Sequence, residues 1–236
     1  MNSNFYRLVV AILFGLSISS STYGSTVDKG INAYKTGEYK KAINILLPQA
    51  QSGNVEAQLI IGGMYNAGLG IKKDEKEAVK WWRRAADRGY SHAQYNLGVA
   101  YSFGAGVKPN LEEAVNWFRK AAKQGHSGAQ YKLGIAYYQG EGVTKDHYKS
   151  IKWFTKAAKQ GDVPSQYFVG VIYTTSTQIE KDETKGVSWI QKAANNGYEN
   201  AMEFMMMAYG NGWYGLKQDN IKANYWSNKL ETAKPK

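Results

Sequence analysis

Residues 93–125 read AQYNLGVAYSFGAGVKPNLEEAVNWFRKAAKQG, and their pattern returns at steps of 36 on either side. Ala57-Gln58, Ala93-Gln94, Ala129-Gln130, Ser165-Gln166 and Ala201-Met202 form one column. Gly62, Gly98, Gly134 and Gly170 form a second, and Tyr65, Tyr101, Tyr137, Tyr173 and Tyr209 a third. Trp81, Trp117, Trp153 and Trp189 keep the step, with Trp226 one residue late. Gly89, Gly125, Gly161 and Gly197 close the units. A fixed period of this length marks a repeat architecture in which each unit is one supersecondary element.

Each unit reads as two helices. Ala93, Leu97, Ala100 and Tyr101 stand at i, i+4, i+7 and i+8, one face of a 3.6-residue helix. Ala114, Trp117, Phe118, Ala121 and Ala122 form an equally regular stripe on the second. Between them lie Gly68/Gly70, Gly104/Gly106 and Gly140/Gly142, a turn in which glycine allows the positive φ that ends a helix. Asp74 and Asn110 are expected N-caps, with Glu77 and Glu113 completing capping boxes. Arg83, Arg84, Arg119, Lys120, Lys156 and Lys192 near the second helix's end complement the helix dipole. A single unit cannot bury both faces, so successive units are expected to stack into a superhelix.

The register divides the chain into a segment 1–24, an N-terminal capping half-repeat 25–53, repeats at 54–89, 90–125, 126–161, 162–197 and 198–231, and a flexible tail 232–236. Ala42, Ala50 and Gly53 tie the half-repeat to Ala78, Ala86 and Gly89. In the fourth repeat Ser176 and Gln178 replace the Gly-x-Gly pair, and Pro164 enters the first turn. In the fifth, Met205, Met206 and Met207 replace the Leu-Gly core and one residue is inserted before Trp226. Both are expected to pack less regularly, the last acting as a cap.

Residues 1–7 are polar and end in Arg7, Leu8 to Ile18 is apolar, and small residues follow to Ser25. The apolar run is too short to cross a bilayer as a helix. These are the three regions of a secretory signal, with cleavage expected after Gly24 and a periplasmic or secreted product. No other segment of the mature chain reads as a membrane span. The absence of cysteine excludes disulfides, a thiolate zinc site, a cysteine nucleophile and a lipid-anchored export signal. A net charge of +11 favours acidic partners.

The motif AQYNLGVAY…GAGV…EEAVNWFRKAAKQG resembles the Sel-one-like repeat family, a relative of the tetratricopeptide repeat, over residues 54–231. The resemblance implies an all-α fold, an α/α solenoid wound as a right-handed superhelix, whose first helices line a concave ligand surface. Facing that surface, opposite the core stripe, are expected Asn66, Tyr95, Ser102, Phe103, Tyr131, Lys132, Tyr138, Tyr167 and Thr174. Tyrosine suits recognition, since it brings large area and a polar tip at low entropy cost; equally, the tyrosine column belongs to the repeat and can pack between units.

Chemistry is harder to find. His92, His126 and His147 lie at different phases, so nothing in the register brings them together on a metal. Gly104-Ala105-Gly106 follows a helix and not a strand, unlike a dinucleotide loop. No catalytic residue, metal or cofactor is therefore expected. The reading that results is a monomeric, non-enzymatic, exported scaffold for a protein or peptide, with no nucleic acid partner. The alternatives are a cell-envelope enzyme or enzyme regulator, and a surface protein binding polyanion or glycan.

Overall fold

The computed structural model describes residues 26–233, so the expected export signal lies outside the described residues. The described residues fold into α1 Thr26–Lys35, α2 Tyr39–Gln51, α3 Val55–Ala67, α4 Glu75–Asp87, α5 Ser91–Phe103, α6 Leu111–Lys123, α7 Ser127–Gln139, α8 His147–Lys159, α9 Val163–Thr175, α10 Glu183–Asn195, α11 Glu199–Asn211 and α12 Asn220–Ala233. They form two compact units, one up to Ala121 and one from Ala122 onward. Thr232 and Ala233, expected in a flexible tail, complete α12.

The helix boundaries follow from the caps. The N–H groups of Glu77 and Glu113 donate to the side chains of Asp74 and Asn110, each at 3.0 Å. The reciprocal arm of the expected capping box takes another route: the N–H groups of Asp74 and Asn110 donate to the carbonyls of Tyr65 and Tyr101, and Glu77 pairs with Lys80. Asp146, Asp182 and Asp219 repeat this arrangement with Tyr137, Tyr173 and Tyr209. Asp219 stands ten residues after its tyrosine where the others stand nine, which locates the extra residue in the last loop.

Packing within each pair rests on the glycine column. A Cβ on Gly98 would lie 2.5 Å from the Phe118 ring, and one on Gly134 2.7 Å from Phe154. Trp82 and Ile190 press on Gly62 and Gly170 in the same way. The absence of a side chain lets the second helix lay a bulky residue on the first helix's backbone, and the Trp82 indole donates to the Leu59 carbonyl at 3.2 Å.

Packing between consecutive pairs rests on the glutamine column. Gln58, Gln94, Gln130 and Gln166 are buried, and their amide groups donate to the carbonyls of Ala50, Ala86, Ala122 and Ala158. Each glutamine is a second donor to a last-turn carbonyl that also accepts the N–H of Gly53, Gly89, Gly125 or Gly161, and so ties the two pairs together. In the second unit Gln160 and Asn196 donate to the side-chain oxygens of Gln130 and Gln166. Met202 replaces the glutamine in the last repeat and is fully buried.

The interhelical turn sits on the preceding repeat. Gly70 lies on the backbone of Tyr39 and Gly106 on that of Glu75, with no room for a Cβ at either. At the equivalent place in the fourth repeat, Gln178 accepts from the His147 N–H at 3.2 Å and the Ser176 hydroxyl meets His147 Nδ1 at 2.7 Å. The departure from Gly-x-Gly therefore exchanges a backbone contact for a hydrogen-bonded one at the same interface.

Residues 26–51 form a complete helix pair and not the expected half-repeat. Their turn is only residues 36–38, against 68–74 in the next pair. Four missing residues displace the register, so a search at steps of 36 passes over Gly30, whose Cβ would lie 2.6 Å from Leu46.

Trp117 is 4 % exposed and packs in the same cluster as Ala85, Leu97 and Ala100. Replacing Trp117 with Ala is expected to cost about 3–5 kcal/mol in chemical denaturation, with faster amide exchange in the neighbouring repeats, since repeats are stabilised through their shared interfaces. An unfolding curve matching wild type would show that the column is not core.

Candidate functional site

Within each unit the first helix of a pair packs against the second helix of its own pair and, in α3, α5 and α9, through the glutamine against the second helix of the pair before. Its buried arc is therefore wider than a single stripe, and this decides which of the expected surface residues reach solvent.

In the N-terminal unit two of the four do not. Asn66 is buried, and Tyr95 is 6 % exposed with its ring 5.8 Å from Phe118. The expectation that these two face outward is corrected: Tyr95 fills the space beside the ring that lies on Gly98. Ser102 is half-buried and donates to the Gly98 carbonyl at 2.9 Å. Phe103, at the end of α5, is 60 % exposed.

The C-terminal unit differs. Thr174 is buried and donates to the carbonyls of Gly170 and Val171, so it too is corrected to a structural role. Tyr131, Tyr138 and Tyr167 are half-buried. They are joined by Phe168, which the tyrosine register overlooks. Its ring stacks on Phe154 at 5.0 Å and 7° and lies 5.9 Å from Tyr138, 6.2 Å from Tyr131 and 5.7 Å from Tyr167. Tyr167 continues to Tyr198 at 5.3 Å, and Phe204 stacks on Tyr214 at 4.9 Å. Burial, then Tyr198, Tyr138, the Glu203 carboxylate and Tyr214, push the Tyr167 hydroxyl above its ordinary range. The signal for Phe168 was present in the sequence: its column reads Ile60, Asn96, Lys132, Phe168 and Phe204, a variable position in an otherwise regular repeat.

Lys132 occupies that column one repeat earlier. Burial holds its ammonium pKa below the ordinary lysine range. The surface thus combines half-buried aromatic rings with a partly desolvated cation in the neighbouring column. Among the described residues no three His, Asp or Glu side chains converge to hold a metal ion. His126 caps α7, its Nδ1 accepting from the Ala129 N–H.

His147 lies under the rim of this surface. Its ring stacks on Tyr138 at 5.1 Å and 15° and is 9 % exposed. Burial, then Lys145, lowers its pKa, with Asp146 opposing. The neutral ring is favoured on folding, so its contribution to stability is complete above the ordinary histidine range and is lost as pH falls through about 6.5. Thermal melts should show stability falling over that range and a shallower fall in His147→Gln, the burial of His92 giving the remainder the same sign. An unchanged slope in the variant would remove His147 from the account.

The family model of the Sel1 repeat matches residues 55–90, 91–126, 127–162, 163–198 and 205–230. The chain belongs to the Sel1 repeat family. A Sel1 repeat protein from Oxalobacter formigenes is 32 % identical, the match covering 89 % of this chain and 86 % of that one, with a TM-score of 0.84. The protein c5321, a protective antigen of uropathogenic Escherichia coli strains displaying the same repeat fold, is 27 % identical over 89 % of this chain and 54 % of that one, with a TM-score of 0.50. The immunity protein PA5088 from Pseudomonas aeruginosa, 16 % identical over 94 % of this chain and 88 % of that one with a TM-score of 0.56, shares the fold alone. No functionally curated protein matches the chain.

Proposed function

We propose that this Sel1 repeat protein is an exported, non-enzymatic scaffold that holds a protein or peptide segment on the first-helix face of its C-terminal unit. The family favours protein partners. The observation that supports this surface is the continuous, half-buried aromatic cluster of Tyr131, Tyr138, Tyr167 and Phe168. Aromatic anchors in partly desolvated settings dominate binding energy in known interfaces.

The test is selection of a random peptide display library on the chain from Ser25 onward. An enriched pool is expected, and Tyr138→Ala with Tyr167→Ala should weaken the selected peptides by more than about 1 kcal/mol per anchor while leaving helical content intact. Tyr95→Ala should instead lower the melting temperature. A failure to enrich, or peptides that bind the double variant at full strength, would refute this surface.

Export rests on the arrangement of residues 1–24, for which periplasm or extracellular space is the proposed destination. Intact mass of the processed protein should place its first residue near Ser25. Full-length protein retained in the cytoplasm would overturn the proposal.

A further inference from the structure

The second helices of the C-terminal unit, α8, α10 and α12, begin after Asp146, Asp182 and Asp219. The positions two, three, six, nine, ten and thirteen residues beyond those caps form one outward arc on each helix, and nearly all are exposed. That arc holds Lys149, Lys152, Lys156 and Lys159 on α8, Lys185 and Lys192 on α10, and Lys222 and Lys229 on α12, with no acidic residue at any position. The same positions in α4 and α6 include Glu77, Asp87, Glu112 and Glu113. The uniform charge is thus particular to the C-terminal unit and is not a requirement of the repeat.

Part of the arc has structural work. Lys156, Lys192 and Lys229 lie over Trp153, Trp189 and Trp226 at 4.6, 5.2 and 5.1 Å. Lys149 and Lys222 pair with Asp146 and Asp219 at 3.0 and 3.5 Å. Lys152 and Lys159 are different: both are exposed, with no ion pair or ring partner among the described residues. Packing does not explain two such lysines on a helix that carries no acidic side chain.

Three large apolar side chains share the arc. Tyr148 is 66 % exposed, Ile221 84 % and Tyr225 54 %. Lysines seven residues apart on a helix stand about 10.5 Å from each other along its axis, so charge is spread over the face and not concentrated at one point. A spread cationic face with exposed tyrosine and isoleucine suits a bilayer interface, where amines meet phosphates and the apolar groups enter the headgroup boundary. A soluble polyanion would use the lysines and leave the apolar groups without a role.

We propose that the outward face of α8, α10 and α12 docks on a bilayer surface bearing anionic phospholipid. This face is carried by the second helices and is independent of the first-helix surface assigned to the peptide.

The test is co-sedimentation of the chain from Ser25 onward, which contains every described helix, with vesicles of phosphatidylcholine alone and of phosphatidylcholine mixed with phosphatidylglycerol. Binding is expected to the mixed vesicles only, and to fade as salt shortens the screening length. Lys152→Gln with Lys159→Gln, neither touching the core, should lower the partition coefficient roughly 10- to 30-fold. Ile221→Ser with Tyr225→Ser should lower it further, and Lys76→Gln with Lys80→Gln on α4 should leave it unchanged. Absence of binding to the mixed vesicles overturns the proposal. So does equal loss from the α4 pair, or full binding by the Lys152/Lys159 variant. Capture by heparin as strong as by vesicles, with no effect of Ile221→Ser and Tyr225→Ser, would overturn it in favour of a soluble polyanion.

Discussion

The contact on which this architecture depends is that of a bulky side chain against a bare backbone. In pair after pair, a ring or branched side chain of the second helix rests where the first helix has glycine: Trp82 on Gly62, Phe118 on Gly98, Phe154 on Gly134, Ile190 on Gly170. Glycine within a helix costs about 1 kcal/mol relative to alanine. Close packing offsets that cost, because interiors lose dispersion contacts when helices are held even slightly apart. With the pair closed, the glutamine of its first helix reaches the last carbonyls of the preceding pair, and the turn settles on that pair's second helix. Neighbour coupling is therefore built from two columns, the glutamines and the interhelical turns, on pairs that the glycine column closes.

The exposed surfaces follow from the same geometry. A first helix held between two second helices has only a narrow arc left for solvent; Tyr95 and Thr174 are interior, and Tyr131 and Tyr167, in the same column as Tyr95, are half-buried. The difference arises where the neighbours change: Phe168 enters the column next to them and spreads an aromatic layer between Phe154 and Tyr138. Second helices, with one side free, carry the charge.

The repeat, its two helices, its glycines and its caps were legible in the sequence because each is a local requirement repeated at a fixed step. The position of Trp226 one residue late was also legible, and Asp219 shows where the extra residue sits. The complete N-terminal pair was not, since a loop shortened by four residues breaks the period without changing the packing at Gly30. Surface assignment was poorer for a physical reason. A single stripe marks which side of a helix meets one neighbour, whereas burial here depends on two. Neither the replacement of Gly-x-Gly by the Ser176, Gln178 and His147 contacts nor the role of Phe168 obeys the period, and irregular contacts of this kind require coordinates.

The most direct test of the central contact is a double-mutant cycle on Gly98 and Phe118, read as unfolding free energy in denaturant. Alone, Gly98→Ala should destabilise, because the new Cβ would stand 2.5 Å from the Phe118 ring. In a Phe118→Ala background the same change should become neutral or stabilising by up to about 1 kcal/mol, since only the helix propensity of alanine remains. If Gly98→Ala costs the same in both backgrounds, or stabilises the wild-type chain, the glycine is not there to receive the ring and the account of the fold fails at its first step.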